Sequence, residues 1–269
     1  MSDFVITDKD EVVSLCCQSI KDSSLSGLYY QWVEGDVSED DDVYCARIRG
    51  DPATHTVEQI NAALRKVPRE DVFFPLPIPW HMGRTVVTVA DTWEAEPKPD
   101  LFLKRPFFPP GAEYNPDDED GRSLMTPIWF TSEVRMLEAL SRHPPHPNIV
   151  RYYGCRVRKG HVTGVLLGRV RGVNLWQHVE AGKTVDKEAF LAALASAVDH
   201  LHNVVGIAHN DIQPYNIMVS DDGTPTLIDL GSAEVIGASI GYGRPYGFFF
   251  LFFPSSFTFF WPRDEKGKS

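Results

Sequence analysis

The clearest periodic signal in the chain is an apolar stripe at Phe190, Leu191, Leu194, Val198 and Leu201, which predicts an amphipathic helix beginning near Asp186. A second helical run, Thr131–Arg142, places Val134, Leu137 and Leu140 on an inward face. A third is short. Thr56-Val57-Glu58-Gln59 has capping-box spacing, and Val57, Ile60, Leu64 and Val67 follow at helical intervals until Pro68 ends the run. Strand-type runs occur at Thr85–Ala90, Leu101–Lys104 and Gly164–Val170. Asn216–Val219 and Thr226–Ile228 flank the turn sequence Ser220–Gly223 and predict a hairpin. Two segments follow neither period. Residues 1–50 mix short apolar runs with the acidic cluster Asp36–Asp42, so they are expected to be weakly structured, with the cluster as a solvated loop. Val72–Trp80 carries proline at 75, 77 and 79, which predicts an extended, polyproline-like linker.

Composition narrows the function classes. With 269 residues, 43% of them hydrophobic, the chain can fill one large or two small cores, which excludes a collagenous or wholly disordered polymer. A net charge of −11 argues against nucleic acid as a partner, because phosphate neutralisation needs clustered Lys and Arg. Cys16, Cys17, Cys45 and Cys155 have neither metal-ligand spacing nor the density of a disulfide scaffold, and the N-terminus has no secretory apolar region. A cytoplasmic or nuclear location is therefore expected. Residues 248–260 (FFFLFFPSSFTFF) hold eight of the sixteen phenylalanines. Interrupted by Pro254, they fall short of the roughly 20 apolar residues of a membrane span, so none is expected.

The chemistry concentrates between Ala208 and Gly231. His209-Asn210-Asp211-Ile212-Gln213-Pro214-Tyr215-Asn216 is followed by Ile228-Asp229-Leu230-Gly231. Phosphoryl transfer needs a carboxylate to orient the acceptor hydroxyl and oxygen ligands to hold a metal on the phosphates. Asp211, Asn216 and Asp229 supply that set on a loop and a hairpin end. Upstream, Ser132-Glu133-Val134 opens a helix that leads into His146-Pro147-Asn148-Ile149-Val150-Arg151.

These motifs resemble the eukaryotic protein kinases, whose catalytic loop reads H-R-D-x-x-x-x-N and whose metal motif reads D-F-G. The resemblance covers about residues 80–240. It implies an α/β (α+β), protein-kinase-like two-lobed fold with an incomplete C-lobe: an accessory segment at 1–79, an N-lobe at 80–167, a partial C-lobe at 168–245 and an aberrant hydrophobic tail at 246–269. The implied cofactors are ATP and Mg²⁺, and the implied reaction is transfer of the γ-phosphate to a Ser or Thr hydroxyl of a protein substrate, by a chain expected to be monomeric. By the same resemblance Lys104 holds phosphates and Glu133 positions Lys104. Asp211 orients the acceptor, and Asn216 and Asp229 bind the metal. Gly168–Val170 would be the hinge, with Asn174 near the ribose and Met218 under the adenine.

The sequence also departs from that family. No G-x-G-x-x-G lies between Trp80 and Lys104, Phe102 stands where a small Ala is usual, Asn210 replaces Arg, and Gln213 replaces the Lys typical of serine/threonine kinases. Two alternatives stand beside the kinase reading. One is a pseudokinase that binds without efficient transfer. The other is a small-molecule phosphotransferase of the choline and ethanolamine kinase type, whose loop also pairs His-Asn-Asp with Gln. His146–Val150 and Asp229-Leu230-Gly231 weigh against the latter. No A-P-E motif follows Asp229, and the composition shifts abruptly at about Tyr246. A read-through or mis-joined tail is expected there, with a hydrophobic partner-binding tail as the alternative.

Overall fold

A computed structural model describes residues 5–18, 25–33, 42–76, 87–90, 99–106 and 125–238. The chain divides into two units: Met1–Glu138 with Tyr152–Arg169, and Ala139–Arg151 with Val170–Ser269.

The first unit opens with strands β1 (Val13–Gln18), β2 (Leu25–Val33) and β3 (Asp42–Arg49), paired antiparallel in sequence order. Helix α1 (Val57–Ala63) follows, with its N-terminus closed as the spacing predicts: Gln59 N–H donates to Thr56 Oγ1 and Thr56 N–H donates to Gln59 Oε1. The helix stops at Ala63, and β4 (Arg65–Lys66) returns to pair with β3. Ile6, Val12, Tyr44, Ala46, Ile60 and Leu64 form the core of this part. The described parts of residues 1–50 thus differ from the weakly structured segment expected, while 36–41 of the acidic cluster lie outside the described residues. Val43–Ala46 are four consecutive buried residues, so β3 is covered on both faces and lacks the alternation that marks a strand in sequence. Asp42, counted with the solvated acidic loop, is ion-paired to Lys66 at 2.6 Å.

The expected proline linker also contributes structure. A single turn, α2 (Arg69–Val72), leads through buried Phe73 to β5 (Phe74–Pro75), which pairs with the beginning of β8 (His161–Gly168). Proline is tolerated there because a short edge strand need not donate every N–H. Strand β6 (Leu101–Lys104) pairs with the other half of the same side of β8, and β7 (Tyr152–Arg158) pairs along its opposite side. Six consecutive residues of β8, 162–167, are buried. Of the expected strand Thr85–Ala90, the described residues 87–90 form one parallel bridge, Val89 with Cys155. Helix α3 (Met125–Ser141) begins earlier than its apolar pattern suggests, and Val134, Leu137 and Leu140 are buried as predicted.

In the second unit, the His146–Val150 segment is fastened to β12 (Pro225–Leu227). Asn148 Nδ2 donates to Pro225 O, Leu227 N–H to Asn148 O, and Val150 N–H to Leu227 O. Strand β9 (Gly172–Asn174), helix α4 (Leu175–Glu180) and helix α5 (Lys187–Asp199) follow. Asp186 caps α5, and Phe190, Leu194 and Ala197 line its buried face. The stripe continues to buried Leu201 through a wider turn, His200–Val205, which ends at Gly206 with φ 80°. Strand β10 (Ile207–Ala208) pairs with β13 (Glu234–Val235), and β11 (Ile217–Ser220) lies between β9 and β12. The predicted hairpin is therefore β11–β12, joined across the Ser-Asp-Asp-Gly turn. Among the described residues no helix is long and apolar enough to cross a membrane. The tail from Tyr246 lies outside the described residues.

Candidate functional site

Lys104 is the last residue of β6, where pairing with Val165 fixes its backbone. Its ammonium Nζ lies 2.7 Å from Glu133 Oε1 on α3, and the Glu133 side chain is buried. The two residues expected to pair are thus joined within the first unit. Phe102, two positions earlier, is 46% exposed with the Arg169 guanidinium 5.9 Å from its ring centre, so it is not part of the core. The stretches 77–86 and 91–98, where a phosphate-covering loop was sought, lie outside the described residues.

The second unit gathers the acidic set. Buried His209 accepts the Asp211 N–H at Nδ1 (3.3 Å), which leaves its proton on Nε2 to donate to Ile228 O (2.9 Å). Burial holds this imidazole below its usual range, so the neutral ring is the stable form. The next residue, Asn210, has φ 60°. Asn is among the few non-glycine residues that occupy the left-handed region with ease, and its Nδ2 donates to Ser232 O at 3.2 Å. The departure from Arg thus suits the backbone that the loop adopts.

Asp211 is held from one side. Gln213 Nε2 donates to Oδ2 at 3.0 Å and Asn216 Nδ2 donates to the same oxygen at 2.8 Å, while Asn216 Nδ2 also reaches Asp211 O at 2.9 Å. Both of these donors meet Oδ2, and neither reaches Oδ1. Asn216 spends its amide donors on Asp211, so its side-chain oxygen is what it has left to offer as an acceptor. Asn216 O accepts the Ile228 N–H, closing the hairpin so that Asp229 leaves it beside Asn216. Asp229 has φ 65°, and its Oδ1 accepts the Gly231 N–H at 3.1 Å. Asp211, Asn216 and Asp229 are therefore brought to one end of one hairpin.

Asn174 and Met218 face each other across the β9–β11 pairing. Asn174 also caps α4, with Oδ1 accepting the Gln177 N–H. Sequence reasoning noted Gln213 as a replacement of the usual Lys and as a likeness to the small-molecule kinases. Its bond to Asp211 was unforeseen. Among the described residues no three His, Cys, Asp or Glu side chains cluster as a metal site. One carboxylate and one amide oxygen nevertheless suit a hard divalent ion whose remaining ligands are phosphate oxygens and water.

Comparison with known proteins supports a protein-kinase-like reading of part of the chain. Residues 118–245 match the protein kinase domain family. That stretch is eukaryotic protein-kinase-like. Relatives of this kinase-like chain include the serine/threonine-protein kinase CHK1 of Saccharomyces cerevisiae, 33% identical over 108 residues covering 39% of this chain and 20% of that protein. The MAP kinase kinase kinase SSK2 of the same yeast is 30% identical over 127 residues, 46% of this chain and 8% of its own length. Human ribosomal protein S6 kinase alpha-4 is 34% identical over 113 residues, 40% of this chain and 14% of its own. The kinase-like chain spans about a fifth or less of these relatives. Its fold is the mixed α and β one of a partial kinase domain, and such a domain in general uses ATP, a divalent metal and a protein acceptor. These relatives favour neither the pseudokinase nor the small-molecule alternative.

Proposed function

We propose that this chain transfers the γ-phosphate of ATP to a Ser or Thr hydroxyl of a protein. The observation that carries the proposal is the Asp211 carboxylate held at Oδ2 by Gln213 and Asn216, an arrangement that supports a role for Oδ1 towards the acceptor. In this reading Asp211 Oδ1 accepts the hydroxyl proton and aligns the oxygen lone pair for attack. Lys104, fixed by Glu133, neutralises phosphate oxygens. Asn216 and Asp229 hold Mg²⁺, which supplies charge neutralisation on the phosphates. Asn174 and Met218 serve the ribose and base. Gln213, an uncharged donor, keeps Asp211 in place but adds no cation to the transferring group, so turnover is expected to be slow. We place the protein in the cytoplasm or nucleus, consistent with the free, buried thiols of Cys45 and Cys155.

Asp211→Ala should abolish phosphate transfer to protein while leaving ATP affinity nearly unchanged, read by radiolabel transfer and by calorimetric titration. Asp229→Asn should weaken binding of ATP with Mg²⁺ far more than binding of ATP alone. Equal loss with and without the metal would overturn the metal role. Phosphate reaching choline and no protein would overturn the substrate class.

A further inference from the structure

Five residues beyond Glu133, α3 carries a second buried acid. Glu138 accepts hydrogen bonds from Thr88 N–H (2.6 Å) and Tyr152 OH (2.7 Å) at Oε1, and from Thr88 OH (3.0 Å) at Oε2. Thr88 belongs to a short strap, residues 87–90, that lies along the outer edge of β7. Cys155 N–H donates to Thr88 O at 2.7 Å and Ala90 N–H to Cys155 O at 3.0 Å. The close approach requires Gly154, which has φ +118° and where an added Cβ would stand 2.8 Å from Thr88 O. Tyr152 OH also meets Cys155 Sγ at 3.1 Å. Since the phenol gives its proton to Glu138, the thiol donates to the phenol oxygen. Burial first, then Cys155, drives the Tyr152 phenol far above its usual range, so it remains a donor at any physiological pH.

The spacing of the two acids gives the clasp a mechanical role. Residues five apart on a helix are separated by about 7.5 Å along the axis and about 140° around it. A helix tied at one point can roll about that tie. Ties at Glu133 to β6 and at Glu138 to the strap and β7 fix both roll and axial position. Charge-assisted hydrogen bonds in a low-dielectric setting are the strong kind suited to this task.

We propose that Glu138 is a positioning residue: its clasp on Thr88 and Tyr152 sets the orientation of α3 and thereby the reach of Glu133 to Lys104. The inference deepens the phosphoryl-transfer reading and rests on it only for its effect on ATP. The test uses the full chain and two separate measurements. Mass spectrometry follows acetylation of Lys104 by acetic anhydride, with Glu133→Ala defining the rate without the Glu133 ion pair. Glu138→Ala should raise Lys104 acetylation several-fold towards that limit, while Glu138→Gln, which keeps the shape and an acceptor oxygen, should restore most of the protection. Thr88→Ala, at an exposed position, should give a partial rise and guards against a Glu138→Ala chain that fails to fold. In transfer assays Glu138→Ala should raise KM for ATP more than it lowers kcat, a split that general loss of stability does not produce. Lys104 acetylation unchanged in both Glu138→Ala and Thr88→Ala would overturn the positioning role. A wild-type chain that binds no ATP yet shows the acetylation pattern would overturn the function proposal and leave the clasp standing.

Discussion

His209 joins the loop that carries Asp211 to the strand that leads into Asp229, and it does so only as a neutral ring: Nδ1 must accept and Nε2 must donate. Its folded pKa is lowered, chiefly by burial, and that of His146 is lowered by burial and by the neighbouring His200. Below the ordinary value of 6.5 the unfolded chain therefore binds protons that the folded chain refuses, and stability falls as pH falls. The stabilising contribution is fully present above pH 6.5. Urea midpoints measured from pH 7.5 downward should drop below that value, and His209→Asn should flatten the slope while lowering the plateau. A midpoint that rises on acidification would show that other groups dominate. The residue scale also explains why the site was legible. Asp211, Asn216 and Asp229 are short side chains on adjoining turns, so their spacing in sequence nearly fixes their meeting in space. The Glu138 clasp was not legible, because it joins residues 50 positions apart through an acid that, in sequence, reads as helix surface.

Among the elements, those with one buried face announced themselves by period, and those buried on two faces did not. Helix α5 shows its stripe and α1 its cap, whereas β3 buries a run of neighbours and was missed, and β8 was found only in its second half, as the run Gly164–Val170. Pairing partners were hidden for another reason: β5 meets β8 across most of the first unit, a choice made by packing and not by local spacing. The three-stranded sheet offers a sharp test at this scale. Gly172 in β9 has φ +145°, and a Cβ there would lie 2.0 Å from Val219 O in β11. Gly172→Ala must push the strands apart or break the register, and is expected to cost about 1–3 kcal/mol in urea unfolding. A neutral result would mean that β9 is not seated against β11 as described.

At the scale of the whole chain, the division into two units predicts that damage stays local. Ile60→Ala in the first unit and Leu194→Ala in the second each remove a buried side chain, at a cost of about 2–5 kcal/mol. Hydrogen exchange read by mass spectrometry should accelerate only in the unit that carries the substitution. Acceleration spread evenly over both would show one cooperative body. The first unit also holds its own chemical clock. Burial pushes the thiols of Cys45 and Cys155 up to about 12. At pH 8 only about one such thiol in 10⁴ is ionised, so an alkylating reagent meets almost no nucleophile until the surrounding sheet opens. Cys45 lies in β3 and Cys155 in β7, in two different sheets. Their separate alkylation rates would time the breathing of each sheet, and ATP added to the solution should slow the second clock more than the first.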